Sequence, residues 1–197
     1  MPRSRLRALI LALAVCAAAG CASLTQAPRI AAGDSFGFSG RIALHEPERN
    51  LSGGIRWRHD AAGDDILLLS PLGQGVVQIL NDPTGATLHT SDDKTYRAPN
   101  AEQLAWEVTG WRIPVSGLAY WVRGQAQPGS KGSMERDAHG RPLKLSQDGW
   151  KIEYTDYFDA PGAAMPRRMV LNRPEFELKL VVDNWEPAAV EATEKPQ

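Results

Sequence analysis

Along most of this 197-residue chain, large apolar side chains alternate with small or polar ones. Phe36-Gly37-Phe38-Ser39-Gly40-Arg41-Ile42-Ala43-Leu44 does so, and Leu51-Ser52-Gly53-Gly54-Ile55-Arg56-Trp57-Arg58 does so again. Neighbours on a strand point to opposite faces, so this rhythm sets one face against an apolar interior and the other toward water. Ile66-Leu67-Leu68-Leu69 reads as a shorter, wholly apolar strand, and Val76-Val77-Gln78-Ile79-Leu80 returns from it after the turn-rich Ser70-Pro71-Leu72-Gly73-Gln74-Gly75. Further strands are expected at 86–90, 94–98, 133–137, 142–147, 150–158, 167–172 and 176–185. Asp148-Gly149 joins two of them as a hairpin, because both residue types tolerate the positive φ of a tight primed turn.

The middle of the chain departs from this rhythm. Asn100 can cap a helix, with Gln103 at capping-box distance. Ala101, Leu104, Ala105 and Val108 follow at helical spacing, and Gly110 ends the run. A second short helix is expected from about Ser116 to Arg123, with Leu118, Trp121 and Val122 apolar and Gly124 as its stop. About six strands, two helices and about five strands suit a strongly curved antiparallel sheet with helices over one open side. A closed barrel would need no such cover.

The N-terminus gives an address. Arg3, Arg5 and Arg7 precede thirteen small or apolar residues, 8–20, long enough for a signal-peptide h-region and short of the ~20 residues a spanning helix needs. Ala18-Ala19-Gly20-Cys21 resembles a bacterial lipobox, which makes Cys21 the expected lipidation site. Leu13-Ala14-Val15-Cys16 competes but puts bulky Val15 at the cleavage position, and a plain secretory peptide leaving Cys21 free is the other reading. The chain therefore divides into a signal peptide at 1–20, a tether at 21–33, a domain at 34–186 and a disordered tail at 187–197. Cleavage before Cys21 removes three arginines and no acid, taking the net charge from −1 to −4. Such a chain lacks the clustered cations of sequence-independent nucleic-acid binding, so no nucleic-acid partner is expected. With Cys16 removed and Cys21 acylated, no thiol remains for a disulfide, a metal or a nucleophile.

Little catalytic chemistry is visible. His45, His59, His89 and His139 match no metal-ligand spacing and read as ordinary surface residues. Asp64-Asp65 and Asp92-Asp93 sit beside turns, where carboxylates commonly bond local amides. No serine stands in a nucleophile elbow and no phosphate loop precedes a helix. The notable side chains are apolar. Trp57, Trp106, Trp111, Trp121, Trp150 and Trp185 can fill a core or line a ligand cavity, and the sequence does not separate the two. Leu72, between Pro71 and Gly73, either folds back on its hairpin or points outward. Outward, it offers area whose burial in lipid is worth roughly 1.5–3 kcal/mol.

From Phe36 to Trp185 the chain resembles the LolB family of outer-membrane lipoprotein receptors. The resemblance lies in ordered segments: Gly40-Arg41, Arg56-Trp57, Leu67-Leu68-Leu69-Ser70-Pro71-Leu72-Gly73, Thr109-Gly110-Trp111, Ile113-Pro114-Val115, Gln147-Asp148-Gly149-Trp150-Lys151-Ile152, Met165-Pro166 and Asp183-Asn184-Trp185. It implies a mainly β fold, an unclosed antiparallel barrel of about eleven strands with helices as a lid over an apolar cavity for acyl chains. Trp57, Leu68, Leu104, Val108, Trp121, Trp150 and Trp185 would line that cavity, and Pro71, Leu72 and Gly73 would form the loop that acts in membrane placement. The implied function is to receive triacylated lipoproteins from a LolA-like periplasmic carrier and place them among outer-membrane phospholipids. The protein would act as a monomer anchored on the periplasmic face, with no cofactor, metal or catalytic residue. Ala22, directly after Cys21, is not the Asp that retains many lipoproteins in the inner membrane. A lipid or lipopeptide sensor of related fold, and an envelope hydrolase, are the rival readings.

Overall fold

The computed structural model describes residues 35–158 and 165–186. The signal peptide, tether and tail expected at 1–20, 21–33 and 187–197, Cys21 among them, lie outside the described residues. Eleven strands form one antiparallel sheet: β1 (Phe36–Glu46), β2 (Arg49–Asp60), β3 (Gly63–Leu69), β4 (Gly75–Asp82), β5 (Gly85–Thr90) and β6 (Thr95–Ala98), then β7 (Gly132–Arg136), β8 (Pro142–Gln147), β9 (Trp150–Tyr157), β10 (Pro166–Arg173) and β11 (Phe176–Glu186). Between β6 and β7 come two helices, α1 (Ala101–Thr109) and α2 (Val115–Trp121).

The sheet runs β6-β5-β4-β3-β2-β1-β11-β10-β9-β8-β7. The first and last strands thus meet at its centre, while β6 and β7 are left as its two edges. The sheet does not close. The connection carrying α1 and α2 leads from one edge to the other, which is why the helices cover the open side, as the strand-helix-strand pattern predicts.

The alternation seen in sequence becomes the inner face. Phe38 stands opposite Trp57 and Trp185, and Ile42 and Leu44 stand opposite Leu180 and Leu178. These residues continue outward through Ile66 and Ile79 on one side and Met169, Leu171 and Ile152 on the other, all in one buried core. Gly40 has a packing reason. A Cβ there would lie 2.2 Å from the Val181 carbonyl oxygen, where β1 shifts register against β11. The Asp148-Gly149 turn takes φ of 52° and 79°, the positive pair expected of it.

The first helix matches its signals. Asn100 accepts a hydrogen bond from the Gln103 amide at 2.8 Å, and Gly110, at φ 74°, closes the end by donating to the Trp106 carbonyl. The reciprocal half of the capping box is replaced, because the Gln103 side-chain amide donates to Glu107 at 2.7 Å. The second helix differs from the expected 116–123. It spans Val115–Trp121, and its last turn tightens, with Arg123 and Gly124 amides bonding the Tyr120 and Trp121 carbonyls three residues back.

Alternating strand direction gathers the β1–β2, β3–β4, β5–β6, β8–β9 and β10–β11 turns at one end of the sheet, its rim. Ser35 and Glu186, where the described chain begins and ends, lie at the opposite end.

Candidate functional site

Leu72 stands out on the rim. The loop that carries it is built around Ser70, whose carbonyl accepts the Gly73 amide at 2.8 Å. The Ser70 amide donates to the Gln74 carbonyl at 2.8 Å, and its hydroxyl accepts the Gln74 amide at 3.2 Å. Pro71 fixes φ at the first central position of the turn, and Gly73 takes φ 82°, a value that suits glycine. A loop so constrained cannot fold its apex back on the hairpin. Leu72 is 88% exposed, the outward alternative of the two left open by sequence.

The residues expected around a cavity come together elsewhere, between the concave face and the helices. Trp57 and Trp185 flank Phe38, at centroid distances of 6.0 and 5.3 Å. Trp121 and Trp150 lie 6.0 Å apart, with Phe176 edge-on to Trp150 at 5.4 Å. Leu104 is fully buried on α1, and Leu68 and Val108 are half-buried against the same core. In the structure these side chains meet one another as a packed interior. Their polar edges are satisfied: Trp57 donates to Asp64, Trp121 to Gln147 and Trp185 to the Pro166 carbonyl. Gln147 in turn accepts the Gln127 amide and donates to the Gln127 carbonyl. The two remaining tryptophans diverge. Trp111 is buried and donates to Glu46 at 2.8 Å, whereas Trp106 is 45% exposed on α1.

Besides the Trp121–Gln147 bond and the Tyr154 hydroxyl's bond to the Trp121 carbonyl, three polar contacts of α1 and its C-terminal end tie the lid to the sheet. Asn81 of β4 accepts the Ala101 amide at the start of α1. Arg49 donates to the Thr109 carbonyl at its end at 2.7 Å, and Trp111 bonds Glu46 just beyond. Glu102 of α1 accepts the Ser116 amide of α2, tying the helices together.

Two sequence expectations fail against the structure. Asp64 is not a turn carboxylate bonding local amides, and His59 is not an ordinary surface residue. The β2–β3 register sets them opposite each other, and the His59 Nδ1 lies 2.7 Å from the Asp64 carboxylate. Asp64 also accepts from Trp57 Nε1 at 2.9 Å and Asn81 Nδ2 at 3.0 Å, while Phe36 stacks on His59. Burial alone would raise the Asp64 pKa, but the hydrogen bonds from His59, Trp57 and Asn81 together hold it below the usual carboxylate range. Period-two reading puts residues on faces but not in register, so this cluster carried no sequence signal.

An open groove of about 410 Å³ lies between α1, the α1–α2 connection and the β8–β9 and β10–β11 turns. Trp106, Arg112, Ile113, Pro114, Trp150 and Arg173 line it. Among the described residues no group of three His, Cys, Asp or Glu side chains converges as a metal site. No described helix is long and apolar enough to cross a membrane.

The model of the family "Outer membrane lipoprotein LolB" matches residues 34–185. The chain belongs to the LolB family. An outer-membrane lipoprotein LolB from Nitrosomonas europaea is 40% identical over 157 residues, covering 79% of this chain and 74% of that one. The LolB of Thiobacillus denitrificans is 36% identical over 187 residues, with 92% and 98% covered. That of Pseudomonas aeruginosa is 32% identical over 199 residues, with 93% and 97% covered. Among solved structures, a LolA superfamily protein from Nitrosomonas europaea overlays with a TM-score of 0.54 at 12% identity, covering 82% of this chain and 89% of that one. A DUF1329 family protein from Desulfovibrio piger overlays at 0.55 with 8% identity, covering 81% and 88%. These overlays concern the fold, and they confirm the open antiparallel half-barrel. LolB family membership agrees with the outer-membrane lipoprotein address expected from the N-terminus.

Proposed function

We propose that the protein receives acylated lipoproteins from a LolA-like periplasmic carrier, shelters their acyl chains under the lid and places them in the outer membrane. LolB family membership supports a sorting role at that membrane, and a fold shared with a LolA superfamily protein suits handing one cargo between two similar half-barrels. The observation that carries the placement step is Leu72, a leucine held outward on a braced rim loop. Burying it in a bilayer gains roughly 1.5–3 kcal/mol, too little to anchor but enough to bias the rim toward lipid. Lipidated Cys21 would hold the domain beside the membrane.

Because the interior is packed, acyl chains enter only as α1 and α2 lift from the concave face. Each chain methylene then gains about 0.8 kcal/mol by leaving water. Leu104 and Val108 on α1 and Leu68 on β3, which pack against one core, are the side chains that acyl chains would meet first. Trp57, Trp121, Trp150 and Trp185 form the wall behind them.

Uptake is tested by mixing the protein with a carrier loaded with acylated lipoprotein, and in parallel with the same lipoprotein lacking its acyl chains. Only the acylated cargo should transfer. Equal transfer of both would contradict the reading.

A further inference from the structure

The groove beside α1 has a chemistry that cargo shelter and Leu72 leave unused. Arg112 stacks over exposed Trp106, its guanidinium 4.4 Å from the ring centroid. Arg173 stacks over Trp150 at 5.0 Å. Neither arginine has a carboxylate partner among the described residues. In the groove wall, Glu102 holds the Ser116 amide through one carboxylate oxygen and Asn100 holds the Gln103 amide. The groove thus presents two ring-stacked guanidinium groups without carboxylate partners among the described residues, beside the apolar side chains of Ile113 and Pro114. That combination suits an anionic oxygen cluster attached to an apolar body.

The groove's place selects the occupant. Trp150 and Arg173 flank the β8–β9 and β10–β11 turns, on the same rim as Leu72 but across its opening. Tryptophan and arginine together suit a water–lipid interface, where the ring sits at headgroup depth and the cation meets phosphate.

We propose that the Arg112–Trp106 and Arg173–Trp150 groove is a second membrane contact, which takes the phosphate of a phospholipid headgroup while Leu72 enters the bilayer on the far side of the rim. This rests on the reading that the rim faces the membrane. Two contacts across one opening fix the orientation of the mouth over the bilayer, which a single leucine cannot do. They also make engagement dependent on ionic strength, which Leu72 alone does not.

Trp106 is the exposed one of the six tryptophans, so its fluorescence reports on the groove and a Trp106→Phe variant supplies the background. The full-length protein is reconstituted on phosphatidylethanolamine–phosphatidylglycerol vesicles that carry nitroxide-labelled headgroups. Trp106 emission should be quenched, and R112Q/R173Q should weaken apparent engagement roughly tenfold or more, at about 1 kcal/mol per arginine. High salt should act likewise, and R112K/R173K should retain most of the quenching. An unchanged thermal melt shows that the variants are folded. Absent Trp106 quenching in the wild type, or quenching indifferent to both arginines and salt, overturns the proposal. So does a variant that keeps its quenching but loses its complex with the carrier, which would make the groove a protein-docking site. Leu72→Glu is measured beside these for cargo delivery. If delivery survives that change, the rim reading fails, whatever the quenching shows.

Discussion

Asp64 shows how one residue can organise an end of the molecule. It gathers His59, Trp57 and Asn81, and Asn81 also holds the start of α1, so the carboxylate is linked through one side chain to the lid. Its pKa is lowered in the fold, so the folded state prefers the ionised form. Stability from this group is present above the ordinary value of 3.8 and is lost as pH falls below it through the lowered value. Asp64→Asn should flatten this acid limb, measured as denaturant midpoints between about pH 5 and 2. Asp64→Ala should cost about 1–3 kcal/mol at neutral pH by leaving the Trp57 and Asn81 donors without an acceptor. Gly117 sets a different constraint. A Cβ there would meet the Trp121 ring at 2.9 Å. Gly117→Val should therefore lower the melting temperature, with an overpacking cost of about 1–3 kcal/mol. Neither effect was legible in sequence, because both depend on which side chains the fold brings opposite one another.

At the scale of elements, local rules were more informative. Asn100, through its side chain, and Gly110 and Asp148-Gly149, through their backbone, act on chain next to them, so their roles could be read directly and the structure repeats them. The strand pattern likewise marked the inner face of β1 and β2. The direction of Leu72 was not readable, because it depends on the hydrogen bonds Ser70 makes with Gly73 and Gln74 and on the Pro71 turn between them. Whether the tryptophans pack or line a cavity was equally hidden, since the same alternation serves both. The loop offers a separable test. Gly73 has φ 82°, and a Cβ added to it would have no neighbouring atom within 4 Å. Gly73→Ala therefore costs conformational strain without a clash, roughly 1 kcal/mol. The domain should stay folded by circular dichroism while delivery to vesicles slows. The lid tie at Trp111 gives the converse case. Trp111→Phe removes the bond to Glu46, and uptake of acylated cargo should quicken as thermal stability falls by about 1 kcal/mol.

Under the proposed function the molecule works at two ends. Leu72 and the Trp106–Arg112 groove share the rim, and the described chain begins at Ser35 on the opposite end. Thirteen residues separate Cys21 from Ser35. A chain of that length can reach about 45 Å, more than the roughly 36 Å of an eleven-residue strand such as β1. An acyl anchor on Cys21 is therefore compatible with a rim that meets the same membrane. Between the ends lies the buried core, and under the proposed function acyl chains must open it, so transfer should depend on acyl-chain length more than on the cargo's folded part. The most direct measurement follows one acylated lipoprotein through both steps, from carrier to protein and from protein to vesicles, for the wild type and Leu72→Glu. Uptake should be equal in the two and delivery should collapse in the variant, with the thermal melt unchanged. Delivery that survives Leu72→Glu, or uptake that fails with it, would contradict a receptor whose rim leucine performs the placement.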